Sequence, residues 1–325
     1  MAAAEFIPSN LDDLGRTIAL IDAADSNIRR TFLQLVSEAK GLQSLEEIVA
    51  LIESGQVQAA MRLIEDIGPG LNEAITAAYV SAGVSVAAAL RESRAVPLIR
   101  FDTLTPRGVN AIQASQARLV RELSAQQAQA LAVSLQQGIQ QGLRPDQIAR
   151  AIQGSIGLTG QQAQAVANYR RLLTNLDSQA LARALRDRRF DGTVRRAIAA
   201  GKQLSSAQID RMVERYEGKL LAHRARVIGS TEALAAVNAG EAEMWAQAVD
   251  RGLDARTVEQ TWHTLVDGRQ RDSHGFMDGQ TRPLGQAFMS GSGIMLRYPG
   301  DSSAPAREVA SCRCVVSRSL VAPSL

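Results

Sequence analysis

The stretch TWHTLVDGRQRDSHGFMDGQTRPLGQAF (residues 261–288) leads through a Gly/Ser/Pro-rich passage containing Tyr298-Pro299-Gly300-Asp301 and closes on Ser311-Cys312-Arg313-Cys314. Two of the three histidines (His263, His274), both cysteines and one of the two tryptophans (Trp262) fall within it. The residues from Thr257 to Trp262 are β-branched and aromatic in character and read as a strand. Beyond His263 the chain is rich in Gly and Pro, with room for short strands and no long helix. Before Gly252 it reads as helix after helix, rich in Ala, Gln, Arg and Leu. The expected fold is therefore mainly α-helical with a small C-terminal α/β unit, short-stranded and turn-rich.

Apolar spacings of three and four residues predict the helices. The first runs over 10–41, with Asn10 as its N-cap, Asp12 and Asp13 in its first turn and Gly41 as its stop. Shorter helices are expected at 44–53 and 56–66, broken by Ser54-Gly55. After Pro69-Gly70 comes a helix over 71–92. Val96–Phe101 reads as an extended connector and a domain boundary. A long helix then spans 107–141, with a bend expected near Ser124 and a stop at Gly142. Helices at 145–153 (opened by Pro145), 159–174, 178–186 and 192–200 come next. The last helix, capped by Ser205, carries His223 on a polar or packing face, with interruptions expected near Gly229 or Gly240.

Composition narrows the class. Aromatic residues make up 4% of the chain, so Ala and Leu must supply most of the packing, which suits closely apposed helices. No uninterrupted apolar run reaches the roughly 18 residues that span a bilayer. Glu73 and the Ser and Gly interruptions mark the apolar helix at 71–92 as a packed helix rather than a membrane segment. The start, MAAAEFIPSN, lacks the basic and apolar regions of a secretion signal, so the expectation is a protein made in the cytoplasm, with no membrane partner. Close neighbours such as Cys312 and Cys314 bridge poorly, which predicts free thiols or ligands.

The net charge is +3, but its distribution is uneven. Between Arg170 and Arg226 there are 14 Lys/Arg against 6 Asp/Glu, a local charge of +8. A solvated set of helix faces and a polyanion-binding patch both fit this pattern. Candidate contacts to double-stranded DNA are Arg183, Arg186, Arg188, Arg189, Arg195, Arg196 and Lys202. Lacking any aromatic platform or base-reading motif, they could contact phosphates without reading sequence.

Two blocks resemble the phage Mu F-like family of minor head, or head morphogenesis, proteins. The first is Lys219–Glu241, where the family's Ile-Ala-Arg-Thr-Glu-like core stands as Ile228-Gly229-Ser230-Thr231-Glu232. The second comprises Trp262, Asp267, Arg269, Arg271, Asp272, His274, Met277-Asp278-Gly279, Tyr298-Pro299-Gly300-Asp301 and Cys312-Arg313-Cys314, with Ser311 where the family usually has Asn. The resemblance spans roughly residues 100–318. It implies a structural protein inside the phage head near the portal vertex, bound to the portal protein and in contact with packaged DNA or other head proteins. The domains expected on this basis are 1–100, a helical region of unknown role, 101–204, a helical body, and 205–325, the Mu F-like domain.

The chemistry of the second block admits several readings. His274, Cys312 and Cys314 are soft and imidazole donors suited to zinc, with His263 or Asp272 as a fourth ligand. Alternatively Asp267, Arg269, Arg271, Asp272 and His274 form a hydrogen-bonded polar core that pins turns. His274 with Asp267 or Asp272 and a cysteine could also be drawn as a cysteine hydrolase or a zinc-dependent nuclease. No helix-opening Gly-rich context activates either cysteine, and no phosphate loop or acidic pair accompanies them, so no enzymatic activity is expected.

Overall fold

The computed structural model describes residues 11–42, 44–56, 59, 67–265 and 270–321. Among the described residues, eight α-helices lead the order: α1 (Leu11–Leu42), α2 (Leu45–Glu53), α3 (Asn72–Glu92), α4 (Pro106–Gln140), α5 (Pro145–Ser155), α6 (Gly160–Thr174), α7 (Asp191–Ala200) and α8 (Ser206–Asp250). The C-terminal part comprises β1 (Val258–His263), α9 (Asp272–Gly275), β2 (Thr281–Pro283), β3 (Phe288–Met289), β4 (Met295–Leu296), α10 (Ala306–Val309) and β5 (Val315–Leu320). A mainly helical protein with a small C-terminal α/β unit is thus what the chain forms. Asn10 and most of the expected helix at 56–66 lie outside the described residues.

Local signals account for most boundaries. Gly55, Gly142 and Gly201 adopt positive φ after helices, as the stop signals require. The segment expected as a helix at 178–186 is instead a single 3₁₀ turn, Ser178–Ala182, capped by Asp177. Asp187 then caps a second 3₁₀ turn, Arg188–Phe190, so local side-chain hydrogen bonds win over helix propagation here.

Spatial grouping yields two compact units, and they are not the consecutive segments 1–100, 101–204 and 205–325. Unit 1 is drawn from Met1–Arg29, Leu71–Ala117 and Arg226–Leu325; unit 2 from Arg30–Gly70 and Arg118–Ala225. The boundaries fall inside α1, α4 and α8, helices of 32, 35 and 45 residues.

Unit 2 is helical. Leu158, Tyr169, Leu172, Met212, Val213 and Tyr216 are among its buried core residues, and the Tyr169 and Tyr216 rings lie 4.7 Å apart. Buried Arg224 donates to the Gly157 carbonyl and to Gln126 Oε1, both at 2.8 Å.

In unit 1 the strand order is β2-β1-β5, antiparallel throughout, with β1 and β5 paired from Val258↔Leu320 to His263↔Val315. β3 and β4 form a separate two-stranded ladder. Helix α3 is long and apolar enough to cross a membrane, yet Ala78, Tyr79, Ala82, Gly83, Val86 and Leu90 are buried in this unit. Val86, Leu90, Met244, Trp245, Ala248 and Val258 join α3, α8 and β1 in one cluster.

Helix α8 runs unbroken through both glycines where an interruption was expected. They are there for close approach. A Cβ on Gly240 would sit 2.1 Å from the Tyr79 carbonyl oxygen, and one on Gly229 would sit 2.3 Å from Asp25 Oδ1. Since the obstacle at Gly240 is backbone, it cannot rotate away. Gly240→Ala should lower the unfolding free energy by about 1–3 kcal/mol, read by denaturant titration.

Candidate functional site

Four elements converge beneath β1. Trp262, fully buried, stacks edge-on against His274 at 5.9 Å and against Phe288 at 5.3 Å. His274 sits on the one-turn helix α9, which starts after Arg271. The register of β5 on β1 begins at Val315, so the Cys312-Arg313-Cys314 segment that precedes it lies at the same end of the sheet as His263. Ser311 turns the chain into it with φ of 54° and donates its N–H to Thr231 Oγ1 of α8 at 3.0 Å. Asn, like Ser, is tolerated in this left-handed conformation more readily than a bulky or β-branched residue.

His274 Nδ1 lies 3.4 Å from the sulfur of Cys312 and 3.4 Å from that of Cys314. All three groups are buried, and both thiols are free. The other ring nitrogen, Nε2, is 3.1 Å from Glu308 Oε2 on α10. Glu308 also accepts from Ser292 (2.7 Å) and Ser273 (3.3 Å). Against the cost of burial, these hydrogen bonds and the one from His274 hold the carboxyl below its ordinary value. The two cysteines share one contact with opposite effects. The hydrogen bond from Cys312 drives Cys314 down to about 5, while the same contact and burial push Cys312 up. Chemically, the cluster can hold a metal ion or keep a thiolate out of solvent.

Residues 188–317 match the family model described as phage Mu protein F like protein. The chain carries a phage Mu F-like domain. This segment is thus similar to a family of bacteriophage head-morphogenesis proteins. The match begins at 188 rather than near 100, so the preceding helical body is not covered. No curated protein and no solved structure matches the chain.

Within the Mu F-like domain the motif residues separate into groups. Asp278 accepts the Thr264 N–H at 2.7 Å, and Gly279, at φ of 74°, donates to the Trp262 carbonyl at 2.8 Å. Arg271 donates to the Ala310 carbonyl. Asp267 and Arg269 lie outside the described residues. Neither proposed fourth ligand joins the cluster. His263 comes directly after Trp262 on β1, so strand alternation turns it to the opposite face, where Nε2 is 2.7 Å from Ser317 Oγ. Asp272 is exposed, as is Arg313. Glu308 and Thr264 were not singled out from the sequence, because nothing in their spacing announces them.

Two further carboxylates pin the domain. Asp301 of the Tyr298–Asp301 turn accepts from the Arg297 backbone and guanidinium and from Ser303, at 2.7–3.0 Å. Arg318 on β5 reaches Glu241 of α8 at 3.3 Å, with Thr17 donating to the other oxygen at 2.6 Å. Burial raises the Glu241 pKa to about 7, and the attraction of Arg318 opposes that rise.

The basic candidates lie on a different part of the chain. Arg186 is locked by two 2.9 Å bonds to Asp191. Arg189 pairs with Asp187 at 2.6 Å, and Arg195 lies 3.7 Å from Asp191. Arg183 is half-buried. Arg188, Arg196 and Lys202 are exposed and form no ion pair among the described residues.

The Arg318–Glu241 pair ties stability to pH in a defined direction. Arg318→Met leaves Glu241 buried without its cation and moves its folded pKa further above the unfolded value. A carboxyl raised in this way favours the fold while protonated and loses that contribution as pH rises through the folded pKa. The variant should therefore lose about 3–5 kcal/mol at pH 8 and markedly less at pH 5, by denaturant unfolding at both.

Proposed function

We propose that this protein binds the portal protein inside the phage head and supports head assembly and the packaging or ejection of DNA. The observation that carries the reading is the Mu F-like match over residues 188–317, with its motifs in order from Trp262 to Cys314. Its activity is binding rather than catalysis. The burial of the His274–Cys312–Cys314 cluster beside a cleft of only about 20 Å³ supports that, since the cleft admits a water and not a larger substrate among the described residues. The test is co-expression with the portal protein of the same phage, followed by size-exclusion chromatography with mass determination. Co-elution at a fixed ratio is expected. Separate elution of a folded protein would overturn the portal assignment.

A second reading, in which the chain contacts DNA and leaves the head with the genome, draws on Arg188, Arg196 and Lys202. All three are exposed and form no ion pair among the described residues, unlike Arg186. Contact with three phosphates would give a salt slope of about −3 in log affinity against log salt. Replacing all three by Gln should flatten that slope by nearly the same amount in a binding titration. A slope indifferent to the triple substitution would remove the patch from the DNA interface.

A further inference from the structure

We propose that the His274–Cys312–Cys314 cluster is a binding site for a zinc-class divalent cation, with His274 Nδ1 and the two sulfurs as ligands and solvent in the fourth position. The strongest observation is a mismatch of hydrogen-bonding capacity. Nδ1 offers either one lone pair or one hydrogen, yet two sulfurs stand at the same 3.4 Å from it. One hydrogen bond at Nδ1 can serve only one of them, and the sulfurs' other contacts are long: the Cys314 N–H to Cys312 Sγ at 3.5 Å and Cys314 Sγ to Thr264 Oγ1 at 3.6 Å. An ion at the point between all three satisfies every group at once. The ligand atoms lie within 4.8 Å of one another. Around a tetrahedral ion with bonds of about 2.3 Å to sulfur and about 2.0 Å to nitrogen, S···N separations are about 3.5 Å, close to those observed.

The surroundings are those of a metal centre. A metal-bound imidazole donates its second nitrogen to a carboxylate that fixes its orientation, and Glu308 stands in that position, itself held by Ser292 and Ser273. Trp262, Phe288 and Val316 close one side with apolar surface. On the other side is a cleft of about 20 Å³, bordered by Thr264, Gln270, Arg271 and Ser311 as well as the three ligands. That volume takes one water. Gln270 Oε1 is buried there with no hydrogen-bond partner among the described residues, and an ion-bound water would give it one. His263 faces Ser317 and Asp272 is exposed, so no fourth ligand joins the cluster among the described residues, and the proposal gives that position to solvent. Binding releases whatever thiol protons remain, leaving two thiolates and a neutral imidazole on the dication.

The test uses the full-length protein without a polyhistidine tag, dialysed against metal-free buffer containing a reductant. Elemental analysis should find about one zinc per chain. Replacing zinc with Co²⁺ should produce sulfur-to-cobalt charge-transfer absorption in the near ultraviolet. His274→Ala and Cys312→Ser should abolish both signals. Glu308→Gln keeps all three ligands and should weaken zinc affinity about 10–100-fold in a chelator competition. If the ligand variants fail to fold, wild-type stoichiometry, the cobalt spectrum and Glu308→Gln still decide the matter. A wild-type protein with less than about 0.1 zinc per chain, no charge-transfer bands on adding Co²⁺ and thermal unfolding indifferent to a chelator would be a hydrogen-bonded thiol cluster only, and the proposal would fall. Neither outcome depends on portal binding, so this test and that of the proposed function fail separately.

Discussion

Backbone pairing between Val258–His263 and Val315–Leu320 is the constraint on which the Mu F-like domain rests. It closes a loop on the order of 50 residues, at an entropic cost of a few kcal/mol, before any side chain inside that loop is ordered. Most of the described chemistry lies within the closed segment. His274, Asp278, Asp301, Glu308 and the two cysteines reach their partners because β5 cannot slip on β1 without turning Val316 from the core and Ser317 away from His263. The register therefore fixes both the hydrophobic seal and the donor cluster.

Inside that loop the described regular structure is slight: two short helices, the three-residue strand β2, a two-stranded ladder and turns. Polar contacts do what longer strands do elsewhere. Asp301 gathers one turn with hydrogen bonds from Arg297 and Ser303, and Glu308 gathers another from Ser273, His274 and Ser292. The apolar cluster of Trp262, Met277, Phe288, Leu296 and Val316 is small and includes the cysteines themselves. A core of this size gains most from a crosslink between distant turns, because such a link restricts the unfolded chain as well as joining the folded one.

The helical pattern was legible because it repeats: three-to-four spacing, a Pro at the start of α5 and glycines after α2, α4 and α7 each speak locally. The exception at 178–186 is instructive. Asp177 and Asp187 both cap short turns, and a sequence window weighs propensity before caps. In the site, His274, Cys312 and Cys314 were legible by residue type alone, since few other roles bring both cysteines and a histidine into one turn-rich stretch. Their companions were not. His263 is excluded by a one-residue alternation on β1, which requires knowing which face is buried. Glu308 and Gln270 enter through turn geometry that no periodicity encodes. Among the basic residues, Arg186 and Arg188 look alike in the sequence, and only the fold separates a guanidinium locked on Asp191 from one left in solvent.

Glycine positions carry a similar division. Gly229 and Gly240 suggested breaks in α8 because glycine disfavours helix interiors by about 1 kcal/mol each. The helix accepts that cost because side chains at these positions would collide with Asp25 and with the Tyr79 carbonyl. Gly300 repeats the logic in the turn, with a φ of 80° and a Cβ that would meet the Ala235 backbone at 2.8 Å. Two of these contacts bring another segment against α8 between residues 235 and 240, just beyond Thr231, which anchors Ser311, and just before Glu241, which holds Arg318. Gly229 and Gly240 thus sit on the helical segment against which other parts of the unit are assembled. A residue that weakens the helix locally is retained because it lets the rest of the domain reach it.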